Sequence, residues 1–588
     1  MKNPVRPKPA NKPYINPIIH EKTPQEMLQP ILAPNCEVNR THVFRVKRQT
    51  VAIVVVPGIM ASRLANLKDE PIWDPDGAFF MGTTFLMVSP QKRHKIIFKS
   101  GRKVMTQSNA DPYKGYPKAR ERGWPGVSWG CYGKLLGDLQ TWSTPLKKLL
   151  DLPVYAFGYD WVESNRTSGK GLQQFIAGIK ADKVILVTHS MGGLVSRYAL
   201  AGEGGAGLAE RVLGVVHGAQ PVHGAPDAYH RQIAGTGGGI LDVATSRVLG
   251  SDGPQITAIF PHSPAALQLL PNQFYRTNHG SPAWLHIQDL DDPDRFESYP
   301  QSGDPYHEIY LKSAHQDFWG MIHGEWFQPK AEGPEIIEMA LAEPVSEIKQ
   351  DNNKDIVSQL RIYLSDAKEF HKIIGSYCHP RTVQLFSSDG NQTISEVCWL
   401  AKDITMTVLE TAPFQRLANT HLAFNTSRAS AQNATFLGEI KEAKPQGFGR
   451  YCEIRWRHQD GTLGEIVPLD SRLADIRQRI TAEDLRLYQL RISEAGEDVF
   501  NRPDDSTDHL GDGTVPLGSA TGMQPDPSGW GPNVHLLPYW EGPDGERREA
   551  TGRVNQKEHS AFYDDNAVKA VKRIVHNLCL GWLKGEFT

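Results

Sequence analysis

Val184-Ile185-Leu186-Val187-Thr188-His189-Ser190-Met191-Gly192-Gly193 decides how this chain folds. Four apolar residues, mostly β-branched, run straight into a turn of small residues. Leu194-Val195-Ser196-Arg197-Tyr198-Ala199-Leu200 follows with helical spacing. A buried strand, a sharp turn and a helix are what a nucleophile elbow requires. Such a turn holds Ser190 in a strained backbone conformation that lifts its hydroxyl above the sheet. Gly192 and Gly193 let the helix pass close to the strand without a Cβ clash. The N–H of Met191, at the helix start, points toward any oxyanion formed beside Ser190. The usual pattern is G-x-S-x-G. Here Thr188 takes the first position, so a slightly wider elbow is expected. The plain alternative is a β-turn-α connection with an incidental serine.

Upstream, Val51-Ala52-Ile53-Val54-Val55-Val56 reads as a strand buried on both faces, running into Pro57-Gly58-Ile59-Met60. A strand exit here supplies a second oxyanion donor, the N–H of Ile59 or Met60, unless it is a plain strand end. Residues 65–135 are rich in Gly, Pro, Trp and Tyr, with Phe79-Phe80-Met81 and Phe85-Leu86-Met87-Val88 among them. An irregular stretch this long is usually functional, and its aromatics suit a lid or the core. Helices are predicted over 132–150 and 172–180, and strands over 153–158 and 212–216. The last of these leads into the Gly/Pro-rich loop from His217 to Pro226. This alternation predicts a parallel sheet with right-handed crossovers.

Beyond residue 230 the alternation stops. A short helix over 264–270 and long amphipathic helices over 335–347 and 354–374 stand between polar segments. Residues 281–500 therefore read as a large inserted, mainly helical cap. Asp289-Leu290-Asp291-Asp292-Pro293-Asp294 lacks the spaced ligands of a calcium loop and reads as a solvated acidic turn. A structural Ca²⁺ is left open there, and no other metal or cofactor is expected.

A serine hydroxyl is a poor nucleophile at neutral pH. It needs a base, and the base needs an acid to hold its tautomer. Asp512, flanked by glycines in Gly511-Asp512-Gly513-Thr514-Val515-Pro516, and His559, before the closing helix predicted over 566–583, follow Ser190 in the required order. Asp160 precedes the nucleophile and is disfavoured by order. The alternatives are a turn-forming Asp512 and a loop-capping His559.

The 588 residues, 39% of them hydrophobic, suffice for a large core and more than one domain. A net charge of −2 gives no sign of a nucleic-acid surface. The six cysteines are scattered without a C-x-x-C pair, so neither a zinc site nor a disulfide framework is implied. The Pro-rich start has no apolar signal region, and no apolar run approaches the roughly 20 residues of a membrane span. The expected organisation is a Pro-rich arm over 1–45 and a core over 46–280 with a lid-like insertion at 65–135. The cap at 281–500 and a second core part at 501–588 follow.

Pro57-Gly58-Ile59-Met60-Ala61-Ser62, Tyr159-Asp160-Trp161, Thr188 to Gly193, Gly511 to Pro516 and Glu558-His559 resemble the lecithin:cholesterol acyltransferase group and the GPI-inositol deacylase-like lipases. With the large cap and unsignalled start, the chain resembles the antibacterial phospholipase effectors of type VI secretion, the Tle lipases. The resemblance implies an α/β-hydrolase fold with a doubly wound, mostly parallel sheet. It implies ester hydrolysis of membrane phospholipids by Ser190, His559 and Asp512, after cytoplasmic synthesis and injection into a rival cell's periplasm. It also implies a secretion spike component as carrier and a dedicated immunity protein. An intracellular lipid acyltransferase or esterase is the alternative, and a catalytically dead binding module is disfavoured by the retained Ser, Asp and His.

Overall fold

The computed structural model describes residues 18–28, 42–85, 88–107, 112–235, 250, 253–289, 291–292, 294–314, 317–327, 341, 356–375, 377–388, 390–391, 393–404, 451–457, 463–466, 485–492, 510–523, 534–538, 559 and 562–586. In chain order the elements that build the core are strand β1 (Gln49–Val56), helices α1 (Ala78–Phe85) and α2 (Trp129–Thr141), strands β2 (Leu150–Asp151) and β3 (Val154–Ala156), and helix α3 (Asn165–Gly178). Then come strand β4 (Lys183–His189), helix α4 (Met191–Ala201), strand β5 (Val212–Gly218), helix α5 (Ile356–Gly375), strands β6 (Thr382–Phe386) and β7 (Val534–Pro538), and helix α6 (Asp565–Lys584).

β1 explains the architecture. Val51, Ile53 and Val55 enter one apolar cluster, while Ala52, Val54 and Val56 enter another, and all six are wholly buried. A strand covered on both faces has no polar side, hence its unbroken apolar run. The sheet order is β7-β6-β5-β4-β1-β2, with β3 also on β1, and every pair is parallel. Leu135, Leu136 and Leu139 of α2 and Val568, Val571 and Val575 of α6 cover one face. Leu172 and Ile176 of α3 and Leu194 and Val195 of α4 cover the other. This is the doubly wound α/β-hydrolase arrangement.

Capping sets the helix limits. α2 starts earlier than its apolar spacing predicts. Ser128 Oγ accepts from Cys131 N–H at 3.3 Å, and the Asp76 carboxylate accepts from Trp129 N–H at 2.7 Å and Gly130 N–H at 3.0 Å. α2 stops at Thr141, well short of the expected residue 150, because Leu150 is taken into β2. Asp76 stands two residues before α1, and its Oδ1 also accepts from Ser128 Oγ–H at 2.7 Å. Two residues before Asp76, Asp74 is gripped by Arg63 through two bonds of 2.8 and 2.7 Å.

The cap expectation is corrected in two respects. Between 281 and 500 the described residues form a six-stranded mixed sheet as well as α5. Its order is Phe296–Tyr299, Leu285–Asp289, Val397–Ile404, Leu485–Ile492, Tyr451–Arg457 and Leu463–Ile466. Moreover, β6 lies inside this segment yet belongs to the central sheet, in register with β5 from Val215↔Thr382 to Gly218↔Leu385. A five-residue strand buried among neighbours carries no periodicity that separates it from a helix fragment, so both features escape a reading by spacing. α5 joins the two units. Leu360, Leu364 and Ala367 pack on the second sheet's cluster, whereas Phe370 and Ile374 pack on the hydrolase cluster. The arm at 1–45 and the helix expected at 335–347 lie largely outside the described residues.

Candidate active site

β4 delivers Ser190 to the carboxyl edge of the sheet. Ser190 has φ 52° and ψ −128°, a positive φ that a non-glycine residue rarely adopts. Neighbours impose it: Ser190 N–H donates to the Gly218 carbonyl at 2.9 Å, and the Ser190 carbonyl accepts from Gly193 N–H at 2.9 Å. α4 then runs close beside the end of β1. A Cβ on Gly192 would stand 2.4 Å from the Pro57 carbonyl oxygen and 2.5 Å from that of Val56. Only glycine fits there. Thr188, where the usual motif has glycine, is wholly buried, and its Oγ1 lies 2.7 Å from Nδ1 of His217 on β5. The elbow accommodates the threonine because the neighbouring strand offers a partner in register.

Asp512 and His559 come to Ser190 from the far end of the chain. Asp512 lies in the short strand Gly511–Asp512, which pairs in parallel with Gly390–Asn391. Gly511 has φ 156°, and a Cβ there would meet the Val515 carbonyl oxygen at 2.4 Å, so the turn that aims Asp512 depends on this glycine. Asp512 Oδ1 accepts from the N–H groups of Thr514 at 3.0 Å and Val515 at 2.7 Å. Its Oδ2 lies 2.8 Å from His559 Nδ1, and His559 Nε2 lies 2.7 Å from Ser190 Oγ. A buried carboxylate opposite Nδ1 fixes the proton on that nitrogen, and the Nε2 lone pair therefore faces the serine hydroxyl. Asp160, the carboxylate disfavoured by chain order, is held elsewhere, by Arg102 at 2.9 Å.

Of the expected oxyanion donors, Met191 follows Ser190 directly, and Ile59 and Met60 follow Gly58 in the loop after β1. Met191 is the first residue of α4, so its N–H has no acceptor within the helix. The loop after β1 presses on Ser190: a Cβ on Gly58 would be 3.0 Å from Ser190 Cβ and 3.5 Å from its Oγ. The Gly58 N–H is committed to Tyr132 Oη at 2.9 Å, which leaves Ile59 and Met60 as the candidates from this loop. Met60 turns the loop with φ 62°, and its carbonyl accepts from Trp73 Nε1–H at 2.6 Å. Among the described residues no group of three or more His, Cys, Asp and Glu could hold a metal ion. Asp289, in the acidic segment, accepts Asp291 N–H at 3.1 Å in a local turn.

Sequence reasoning missed two partners. His189 and Tyr132 reach the site through bonds to His559 and Gly58. A histidine beside the elbow serine is a visible signal; Tyr132 on α2 carries none.

Burial holds four imidazoles neutral, two of them, His189 and His217, at the elbow. His189, His217, His223 and His371 are each pushed down to about 3, chiefly by loss of solvation. In the unfolded chain they titrate near 6.5, so below that pH the unfolded state binds more protons. The stability from keeping them neutral is fully present above pH 6.5 and is lost as pH falls toward 3. Each titrating imidazole contributes up to about 1.4 kcal/mol per pH unit in that window. The melting temperature is expected to fall steeply between pH 6.5 and 4.5. A midpoint unchanged over that range would show that these histidines charge without cost.

Residues 119–329 match the family model of lecithin:cholesterol acyltransferase, a segment that carries the elbow but neither Asp512 nor His559. No curated protein matches the chain. A chain of the solved Tle4–Tli4 complex is similar in fold, with a TM-score of 0.57 at 22% identity. That match covers 91% of this chain and 99% of the other.

Proposed function

We propose that this chain is a serine phospholipase that hydrolyses ester bonds of membrane phospholipids through an acyl-enzyme. One observation carries the reading: the unbroken line from Ser190 Oγ to His559 Nε2 at 2.7 Å and from His559 Nδ1 to Asp512 Oδ2 at 2.8 Å. His559 takes the serine proton as Oγ attacks the ester carbonyl, then gives it to the departing alcohol. Asp512 stabilises the imidazolium in between. The N–H groups of Met191 and of Ile59 or Met60 hold the oxyanion. Water enters with His559 as base, releasing the fatty acid and restoring the serine.

Lipid as the substrate is supported by α1 and its surroundings. Met81 and Phe85 anchor this helix in the core, while Phe79 is 86% exposed and nearby in sequence Leu67 is 74% exposed. Among the described residues no helix is long and apolar enough to cross a membrane. In this reading, contact with a bilayer is made by side chains such as these. Burying a phenylalanine in lipid stabilises contact by roughly 1.5–3 kcal/mol, so Phe79→Ser is expected to lower the vesicle rate about tenfold relative to the rate on a monomeric ester. An unchanged ratio would exclude α1 from the lipid contact.

The reading extends to a secreted antibacterial effector, carried by a type VI spike component into a rival's periplasm and neutralised by an immunity protein. It is supported by the family-model match over the elbow segment and by the likeness to a chain solved with a second protein. The test has two parts. Purified chain is incubated with phosphatidylethanolamine–phosphatidylglycerol vesicles, with and without a sterol or alcohol acceptor, and products are identified by mass. The same chain is directed to the periplasm or cytoplasm of a bacterial test strain. Free fatty acid with lysophospholipid, and growth arrest on periplasmic delivery alone, are expected. Transfer of the acyl group to the added acceptor, or a rate that ignores the passage from monomers to vesicles, would move the assignment to an intracellular acyltransferase or esterase.

A further inference from the structure

A second hydrogen-bonded line ends on the same machinery from a different side. His189 Nε2 lies 2.9 Å from the backbone carbonyl oxygen of His559. A carbonyl only accepts, so Nε2 carries the imidazole proton and Nδ1 must accept. The donor to Nδ1 is the Tyr132 hydroxyl at 2.7 Å. Tyr132 Oη, its proton given to His189, accepts Gly58 N–H at 2.9 Å. The direction of every bond is thereby set, from the Gly58 amide to the carbonyl of His559. Burial reinforces this, keeping His189 neutral and raising the Tyr132 phenol well above its ordinary value of 10.

Each end of the line touches a part that has to be in register with Ser190. Gly58 belongs to the loop pressed against the nucleophile. At the other end, the two ring contacts of His559 leave its backbone free to shift, because rotation about the side chain can compensate. A bond to its carbonyl removes that freedom. The neighbouring elbow residue acts on the same segment: the Thr188 carbonyl accepts from Tyr563 Oη–H at 2.6 Å, and the Phe562 ring lies 6.2 Å from that of His189. The residues just before the nucleophile thus hold the segment that bears its base.

We propose that His189 and Tyr132 are positioning residues, a bridge that holds the oxyanion loop and the backbone of His559 in one fixed relation to Ser190. The proposal rests on Ser190 as nucleophile and His559 as base. Displacing a reacting group by about 1 Å can cost 10²-fold in rate, which sets the scale of the effect.

The test uses the full chain with Tyr132→Phe, His189→Gln and His189→Leu. Two readouts are independent of lipid: the rate at which a fluorophosphonate probe labels Ser190, and kcat and KM on a soluble nitrophenyl butyrate. Both are taken well below each variant's melting temperature. His189→Leu is expected to lower kcat and the labelling rate about 10²-fold, with KM within about twofold. His189→Gln, whose amide can donate to the His559 carbonyl and accept from Tyr132, is expected to recover at least about tenfold of that loss. Tyr132→Phe, which removes one oxygen and hence both of its bonds, is expected to lose about tenfold. Equal losses for Gln and Leu, or folded variants with wild-type kcat, would overturn the bridge while wild-type labelling left the nucleophile standing. A wild-type chain that the probe does not label at Ser190 would overturn both.

Discussion

Ser190→Ala is expected to lower turnover of short acyl esters by about 10⁶-fold while the protein stays folded. The size of the loss follows from the geometry. Ser190 Oγ is the group aligned with the Nε2 lone pair of His559, at 2.7 Å. Without it, the oxyanion donors and the binding surface remain but nothing attacks the carbonyl. The fold is spared because alanine keeps the Cβ, and so keeps whatever the φ of 52° already costs. The backbone bonds of residue 190 to Gly218 and Gly193 do not involve the side chain. One buried hydrogen bond disappears, a loss of about 1 kcal/mol. Steady-state rates on protein free of host esterase, together with a thermal melt, check both halves. A variant retaining a tenth of wild-type turnover would remove Ser190 from the chemistry. A collapsed melt would mean that the hydroxyl is needed by the fold.

Asp512→Asn is expected to lower kcat by about 10⁴-fold, for a reason that only the acid's hydrogen bonds reveal. Oδ1 is held by the N–H groups of Thr514 and Val515. An asparagine keeps its carbonyl oxygen there, since its NH₂ cannot accept those bonds, and so turns the NH₂ toward His559 Nδ1. Nδ1 must then accept, and the ring proton moves to Nε2, where it faces Ser190 and cannot take the serine proton. His559→Ala removes the base altogether and is expected to cost more, approaching the loss of the serine itself. Asp160→Asn is the control. Its carboxylate pairs with Arg102 and does not touch the site, so most activity should remain. Rates for the three variants on one soluble ester decide the order. If Asp160→Asn proved the more damaging carboxylate change, the acid would have to be sought at the end of β3 rather than in the Gly-Asp-Gly turn.

The legible parts of the candidate site are those coded within a few residues. Strand, small-residue turn and helix around Ser190 declare an elbow because each is a local pattern. Gly511 and Gly513 mark a turn that presents Asp512, and the order Ser, Asp, His links the three. The illegible parts depend on remote partners. Thr188 looks like a defect of the motif until His217 on the next strand is seen to take up its hydroxyl. Tyr132 reads as one more apolar position of a helix, although its hydroxyl joins Gly58 to His189.

By itself, the amino-acid sequence determined what side-chain spacing and composition can specify: the doubly covered strands β1 and β4, the elbow at Ser190, the closing helix α6, and the candidate nucleophile, acid and base. The tertiary structure alone decided which distant segments complete them. β6 returns to the central sheet from within the presumed cap, beside a second sheet where mainly helix was expected. His189 meets a carbonyl 370 positions away, and Thr188 meets a hydroxyl 375 positions away. Contacts over such separations leave no periodic trace in the chain. They arise where the buried faces of β1, β4 and α6 pack together and bring remote backbone polar groups out of water, where each must find a partner.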